Sequence, residues 1–357
     1  MGKAGTYKDI AKALGVSLAT VHKAVHNKKG VGEATRVRIL SYISENDYTL
    51  NRAASALKRG ALRLAVAMAE PTGESGYFYP QIMRGVERAK SQLESYNVEL
   101  KEYYFPFDAA KQRALLERIL EEEGDSLDGI MTVASDERRL NDVIKRYTDR
   151  GIKFVTVNSD APESTRDASV CGNGLEAGRV AAELMYDFTA GKTGQILLLA
   201  GSHEMSNHRE SARGFISVAR ELMPECDVIE CCIFDDAKKL EKHIEQYVSA
   251  IDDMIGVYCN NARNTLTLCK TLSKLGAGKR YAVIGSDVYG ELTPYFEDRT
   301  LTAAIYQYPQ EQGSRGLWML YGLVTGTEKI RCEKSRVGII VKGNAKEYIN
   351  ADGNGEL

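Results

Sequence analysis

Two groups of side chains in this sequence have the types and spacing to recognise other molecules, and neither is arranged to make or break bonds. Near the N-terminus, Leu18, Ala19, His22 and Lys23 fall in the stretch YKDIAKALGVSLATVHKAV at residues 7–25. There a short helix, a tight turn at Gly15-Val16 and a second helix would present them to base edges in the major groove. Leu18 and Ala19 offer apolar contact suited to a thymine methyl, while Lys23 reaches guanine acceptors or a phosphate. Further along, Asn260, Asp287 and Gln307 each follow an apolar run of strand length, at 255–259, 283–286 and 302–306. One polar residue after a strand is more often a turn or helix cap than a ligand contact. Three at equivalent strand ends point to a shared cleft. In it a carboxylate such as Asp287 would hold a vicinal diol by accepting two hydroxyl protons. Aromatics at Tyr77-Phe78-Tyr79 and at Phe234 would stack on a sugar ring.

Patterns that would signal catalysis fail on spacing. Gly172-Asn-Gly174-Leu-Glu-Ala-Gly178 resembles a dinucleotide fingerprint, but its last glycine comes one residue late. Gly191-Lys192-Thr193 ends like a phosphate loop, yet the first glycine of that pattern would fall at Tyr186. His203 and His208 stand five apart where a helical zinc pair needs four, and no C-x-x-C pair occurs. There is no G-x-S-x-G motif either. We therefore expect no catalytic residue, no metal and no cofactor. The seven cysteines, an odd number with Cys231 and Cys232 adjacent, read as reduced and mostly buried thiols rather than a disulfide framework.

These groups need scaffolds, and the sequence supplies two kinds. A chain of 357 residues exceeds what one core usually supports. Residues 6–46 read as three short helices with Ile10, Ala11, Leu14, Val21, Val25, Ile39, Leu40 and Ile43 turned inward and Ser17 capping the second. From Leu62 onward, apolar runs at 64–69, 129–134, 154–157, 196–200, 254–259 and 281–285 alternate with amphipathic stretches at 80–95, 108–122, 136–150, 174–189, 206–222 and 261–275. Alternation of this kind builds parallel sheets through right-handed crossovers. About ten strands crowd a single sheet, so two Rossmann-like lobes are expected. The fold class is thus α/β behind an all-α headpiece. Charge follows the same division. Residues 1–60 carry eleven Lys/Arg against four Asp/Glu, whereas the whole chain has a net charge of −2. A basic module on an acidic body points to a polyanionic partner at one end only.

Residues 51–60, NRAASALKRG, contain helix formers and three basic side chains. Too short to be a stable helix alone, the segment suits folding on DNA with Leu57 wedged into the minor groove; a plain linker is the blander alternative. Read in order, TYKDIAKALGVSLATVHKAV, Thr35-Arg36, Asn46-Asp-Tyr-Thr-Leu-Asn51 and Asn51-Arg-Ala-Ala-Ser-Ala-Leu57 resemble the lactose-repressor (LacI/GalR) family of bacterial transcription regulators. What this resemblance implies is a homodimer on a near-palindromic double-stranded operator, with a hinge helix ordered only on DNA. It also adds Thr6, Tyr7, Ser17, Thr20 and Asn27, and in the hinge Asn51, Arg52 and Ala54, to the expected DNA contacts. One departure matters: His22-Lys23 stands where the family commonly has Ser-Arg, so operator sequence does not carry over.

Residues 62–342 resemble the sensor of that family, a periplasmic-binding-protein type I fold like that of ribose-binding proteins, with ligand held between the lobes. The matching positions imply ligand contacts from Phe78, Tyr79, Phe234, Asn260, Asp287 and Gln307. Departures also occur: Asn158-Ser159-Asp160 replaces an Asp-Arg pair, and Ser211 replaces an arginine, leaving Arg209 and Arg213 nearby. We expect Asn158, Asp160 and Arg209 to share in binding a polar, polyhydroxylated effector of carbohydrate type. The expected division is a DNA-binding domain at 1–50, a hinge at 51–60, a sensor and dimerisation domain at 61–342, and a tail at 343–357. Within the sensor the first lobe takes 61–160 and 290–325, and the second 161–289 and 326–342. Lobe closure is expected to release DNA. No apolar run reaches the roughly 20 residues of a membrane span, and the start lacks the apolar core of a secretory signal, so a cytoplasmic regulator is expected. The basic headpiece argues against the alternative of a transport sugar-binding protein. The absence of a nucleophile or metal pattern argues against an enzyme on the same fold.

Overall fold

The computed structural model describes residues 7–25, 30–45, 60–71, 76–233 and 236–353. At the N-terminus stand three helices, α1 (Tyr7–Leu14), α2 (Leu18–Val25) and α3 (Glu33–Glu45). Ile10, Val21, Ala24 and Ile39 form their buried centre, with Leu14, Val16, Val31 and Tyr42 packed around it. Gly15 takes the left-handed conformation at φ +65° that a tight turn between α1 and α2 requires. Ser17 then caps α2, its Oγ accepting from the Thr20 backbone N–H at 3.0 Å. Leu40 departs from expectation. It is 44% exposed, because Ile39 already occupies the inward position of that turn.

The rest of the chain forms two α/β lobes. Their elements run β1 (Leu62–Ala69), α4 (Tyr79–Leu93), β2 (Val98–Phe105), α5 (Ala109–Glu123), β3 (Gly129–Thr132), α6 (Glu137–Asp149), β4 (Lys153–Asn158), β5 (Ala168–Cys171) and α7 (Gly174–Thr189). They continue with β6 (Gln195–Ala200), α8 (Ser206–Leu222), β7 (Asp227–Cys232), α9 (Ala237–Ala250), β8 (Met254–Cys259), α10 (Ala262–Lys274) and β9 (Ala282–Ser286). Last come α11 (Thr293–Glu297), β10 (Ala303–Tyr306), α12 (Pro309–Thr325), β11 (Cys332–Lys334), β12 (Gly338–Val341) and α13 (Ala345–Gly353). One six-stranded sheet has the order β11-β5-β4-β3-β1-β2 and the other β12-β10-β9-β8-β6-β7. Central strands such as β1, β3 and β6 are buried almost throughout, as sheets covered on both faces require.

This strand order corrects the expected lobe boundaries. β5 pairs in parallel with β4, so residues 168–171 belong to the first lobe. β10 pairs with β9 and β12, which places 303–306 in the second. β11 pairs with β5 and returns 332–334 to the first. The chain therefore crosses between lobes three times, after β5, after β10 and after β11. Sequence proximity could not reveal the place of β11, because its partner β5 lies about 160 residues earlier in the chain. Among the described residues no helix is long and apolar enough to cross a membrane. All seven cysteines are free, but only Cys171, Cys259 and Cys269 are buried, fewer than expected.

The glycines that mimic a nucleotide fingerprint have a packing role instead. A Cβ added at Gly178 of α7 would lie 2.0 Å from the Ser211 carbonyl oxygen of α8. At Gly174 it would lie 2.3 Å from that of Asn207. These positions let the two helices touch backbone to backbone.

Candidate functional site

Where the two sheets' C-terminal strand ends face each other lies a partly open cleft with a cavity volume of about 50 Å³. The first lobe contributes Tyr77, Phe78 and Tyr79 after β1, Phe107 after β2 and Asn158 at the end of β4. The second contributes Met205, Asn207 and His208 at the start of α8, Asn261 to Arg263 at the start of α10, and Asp287 after β9. Gln307 comes from the crossing after β10. Placement at strand ends follows from parallel architecture, since every crossover loop at that edge points into the gap.

Aromatic rings wall one side. Tyr79 packs on Phe78 edge-on at 5.7 Å and on Phe107 at 5.5 Å. Burial pushes the Tyr79 phenol far above its ordinary range, so it stays neutral. Asp287 lines the same cleft, 1% exposed and with a left-handed backbone at φ +58°. Gln307 fixes that carboxylate, donating from its backbone N–H to Oδ1 at 3.1 Å and from Nε2 to Oδ2 at 2.9 Å. Each carboxylate oxygen can accept more than one bond, leaving capacity for ligand hydroxyls.

Donors complement it. Asn158 is also left-handed at φ +65°, and its Nδ2 is buried without a protein partner. Asn261 caps α10 by accepting from the Asn264 N–H at 2.9 Å, while its Nδ2 is likewise buried and unsatisfied. Two orphaned amide donors on one cleft await acceptors, since leaving each unmade costs about 1–3 kcal/mol. Arg263 adds a positive group, its guanidinium lowered to about 10 by burial.

His208 lines the same wall, and burial pulls its imidazole down to about 4 from the ordinary 6.5. The unfolded chain takes up a proton below 6.5 that the folded protein refuses until about 4, so stability is lost on acidification through that window. Between pH 7 and pH 5 this residue should remove about 2 kcal/mol of stability. Urea midpoints at the two pH values check it: His208→Gln should abolish most of the difference, and an unchanged difference would assign it elsewhere.

Of the expected ligand residues, the cleft gathers Phe78, Tyr79, Asn158, Asp287 and Gln307. Three others are corrected. Asn260 is consumed by structure: its Oδ1 accepts from the Gly201 N–H at 2.8 Å and its Nδ2 donates to the His208 carbonyl at 3.0 Å. Asp160 is held by both sides of the Arg166 guanidinium and by Thr156 at 2.7 Å. Burial alone would raise its carboxyl, but Arg166 and Thr156 outweigh that and hold it below the usual range. Arg209 donates to the His203 carbonyl at 2.6 Å and to Glu137 of the first lobe at 2.8 Å, a bridge between lobes rather than a lining group. Phe234 lies outside the described residues. Sequence reasoning missed Phe107, Asn207, His208, Asn261 and Arg263, although the rule that named Asn260 led to within one residue of Asn261.

On the helical unit, Leu18, Ala19 and Lys23 are exposed on α2, with Leu18 at 50%, and Ser17 and Thr20 stand at its start. A large apolar side chain left in water at a helix start suits contact with a base edge. The side chains of Tyr7 and His22, and all of Thr6, Asn27, Asn51, Arg52, Ala54 and Leu57, lie outside the described residues.

A helix-turn-helix on the same chain as a two-lobed receptor with a polar cleft defines the class of ligand-responsive DNA-binding regulators. The chain belongs to the family described as periplasmic binding protein domain, which matches residues 66–328, and its residues 6–51 match the family described as bacterial regulatory proteins, lacI family. It is similar to the HTH-type transcriptional repressor PurR of Photobacterium profundum, 26% identical over 88% of this chain and 90% of that one. Its match to the PurR repressor of Vibrio parahaemolyticus is 25% identical and covers 96% and 99%. Among solved structures, a solute-binding protein from Burkholderia graminis in complex with D-arabinose has a TM-score of 0.73 at 20% identity, covering 81% and 98%. A solute-binding protein from Bacillus halodurans with bound myo-inositol has a TM-score of 0.71 at 15% identity, covering 81% and 97%. These structures share the fold. The protein is a DNA-binding transcriptional repressor with a small-molecule sensor domain.

Proposed function

We propose that the effector is a neutral sugar or polyol bound in the cleft between the lobes, and that its binding sets operator affinity in a cytoplasmic homodimer. The observation that carries this reading is the combination of the Asp287 carboxylate, the unsatisfied Asn158 and Asn261 amides and the aromatic wall around one space. A hydroxyl both donates and accepts, so a polyol satisfies an acid and an amide at once, while a sugar's apolar face covers the rings. The D-arabinose and myo-inositol of the two similar structures are of this class. Thermal shift against a panel of sugars and polyols tests it, since a ligand at about 100 times its Kd adds about 2.7 kcal/mol to stability. Failure of every neutral polyol, with stabilisation by another class, would reject the effector assignment.

On the DNA side we assign base contact to Leu18, Ala19, His22 and Lys23, with Thr6, Tyr7, Ser17, Thr20 and Asn27 against the backbone, and the minor groove to the hinge at Asn51, Arg52, Ala54 and Leu57. Selection from random duplexes should return a near-palindrome, whose half-sites mirror the two-fold axis of the dimer. Leu57→Ala should weaken binding to the selected site at least tenfold without altering effector affinity. An unaltered operator affinity would remove Leu57 from the interface. Adding the effector to the operator complex then measures whether closure releases DNA, the direction we favour.

A further inference from the structure

The turn between β6 and α8 brings His203 to the exposed edge strand β7, beside Glu230 and Cys232. Residues two apart on a strand share a face, so Glu230 and Cys232 project together while Cys231 points the other way. His203 Nε2 lies 2.8 Å from Glu230 Oε1 and 3.4 Å from Cys232 Sγ, and Sγ lies 3.8 Å from the same Oε1. Tetrahedral zinc, with bonds of about 2.0–2.3 Å to nitrogen, oxygen and sulfur, places such atoms about 3.4 Å (N to O), 3.5 Å (N to S) and 3.6 Å (O to S) apart. Both sulfur edges already match, and only the His203–Glu230 edge must open, which happens when the shared proton gives way to a cation.

We propose that His203, Glu230 and Cys232 form a binding site for a zinc-class divalent cation, with the fourth position open to water. Imidazole, carboxylate and thiolate together select zinc and its neighbours over magnesium or calcium, which take oxygen alone. Burial, and then the Glu230 charge, push the Cys232 thiol up to about 11. That proton leaves to solvent when metal binds. All three side chains are accessible, so the ion needs no path through the core. The site stands apart from the effector cleft, whose lining does not include these three residues, and does not depend on the sugar assignment.

Cobalt(II) titration of the full-length protein, stripped with a chelator and kept in a thiol-free reductant, provides the test. One equivalent should generate a near-ultraviolet thiolate-to-cobalt charge-transfer band that zinc displaces. Cys232→Ser should remove the band, and His203→Gln should weaken cobalt binding at least tenfold. Both substitutions are at exposed positions, and metal-free melting curves matching the stripped wild type establish that they fold. No band in the wild type, a band that survives in Cys232→Ser, or undiminished affinity in His203→Gln would each overturn the site.

Discussion

Asp287→Asn is expected to weaken binding of the stabilising sugar or polyol about 100-fold, on the order of 2.8 kcal/mol, while leaving operator affinity without effector unchanged. Asparagine keeps the size of the side chain and tolerates the φ of +58° that alanine would occupy with strain. The backbone N–H of Gln307 would still find an oxygen. What disappears is the anionic acceptor: hydrogen bonds to a charged group contribute about 1.5–3 kcal/mol each, and the amide presents a donor where the second hydroxyl expects an acceptor. Titration calorimetry on the variant, with operator binding measured in parallel, separates cleft chemistry from folding. Wild-type effector affinity would dismiss Asp287 as a ligand group, and the loss of operator binding without effector would mean that its role is structural.

The second large effect concerns stability. Gly178→Ala should lower the melting temperature by about 5–10 °C, from a destabilisation of about 2–3 kcal/mol. The added methyl would lie 2.0 Å from the Ser211 oxygen and 2.7 Å from the Phe215 nitrogen, both backbone atoms that cannot rotate away. The helices must separate, loosening Ala181, Ala182 and Phe215 in the core of the second lobe. Alanine's better helix propensity offsets about 1 kcal/mol, which is why the net cost is not larger. A control at Gly343, where a new Cβ meets nothing within 4 Å and the backbone is not left-handed, isolates crowding from composition. A melting temperature for Gly178→Ala equal to that of the wild type would show that α7 and α8 can part freely.

Local periodicity and turn chemistry made much of this protein legible before its fold was seen. The Gly15 turn, the Ser17 cap and the apolar runs that became β1, β6 and β8 are decided by interactions within a few residues, so the sequence alone determined a helix-turn-helix ahead of alternating α/β units. Strand ends likewise pointed to the loops at Asp287 and Gln307. Other features depend on partners distant in sequence. Asn260 and Asn261 look equivalent as letters; only the packed loop decides that one ties Gly201 to His208 and the other turns its amide to the cleft. Asp160 became structural because Arg166, six residues on, folds back on it, and β11 and β12 joined their lobes by pairing with β5 and β10 across two crossings. His203, set aside in the chain for its spacing from His208, meets Glu230 and Cys232 only when β7 lies beside β6. Side-chain direction and long-range pairing are set by the balance of burial and hydrogen bonding over the whole core, and no local pattern encodes that balance.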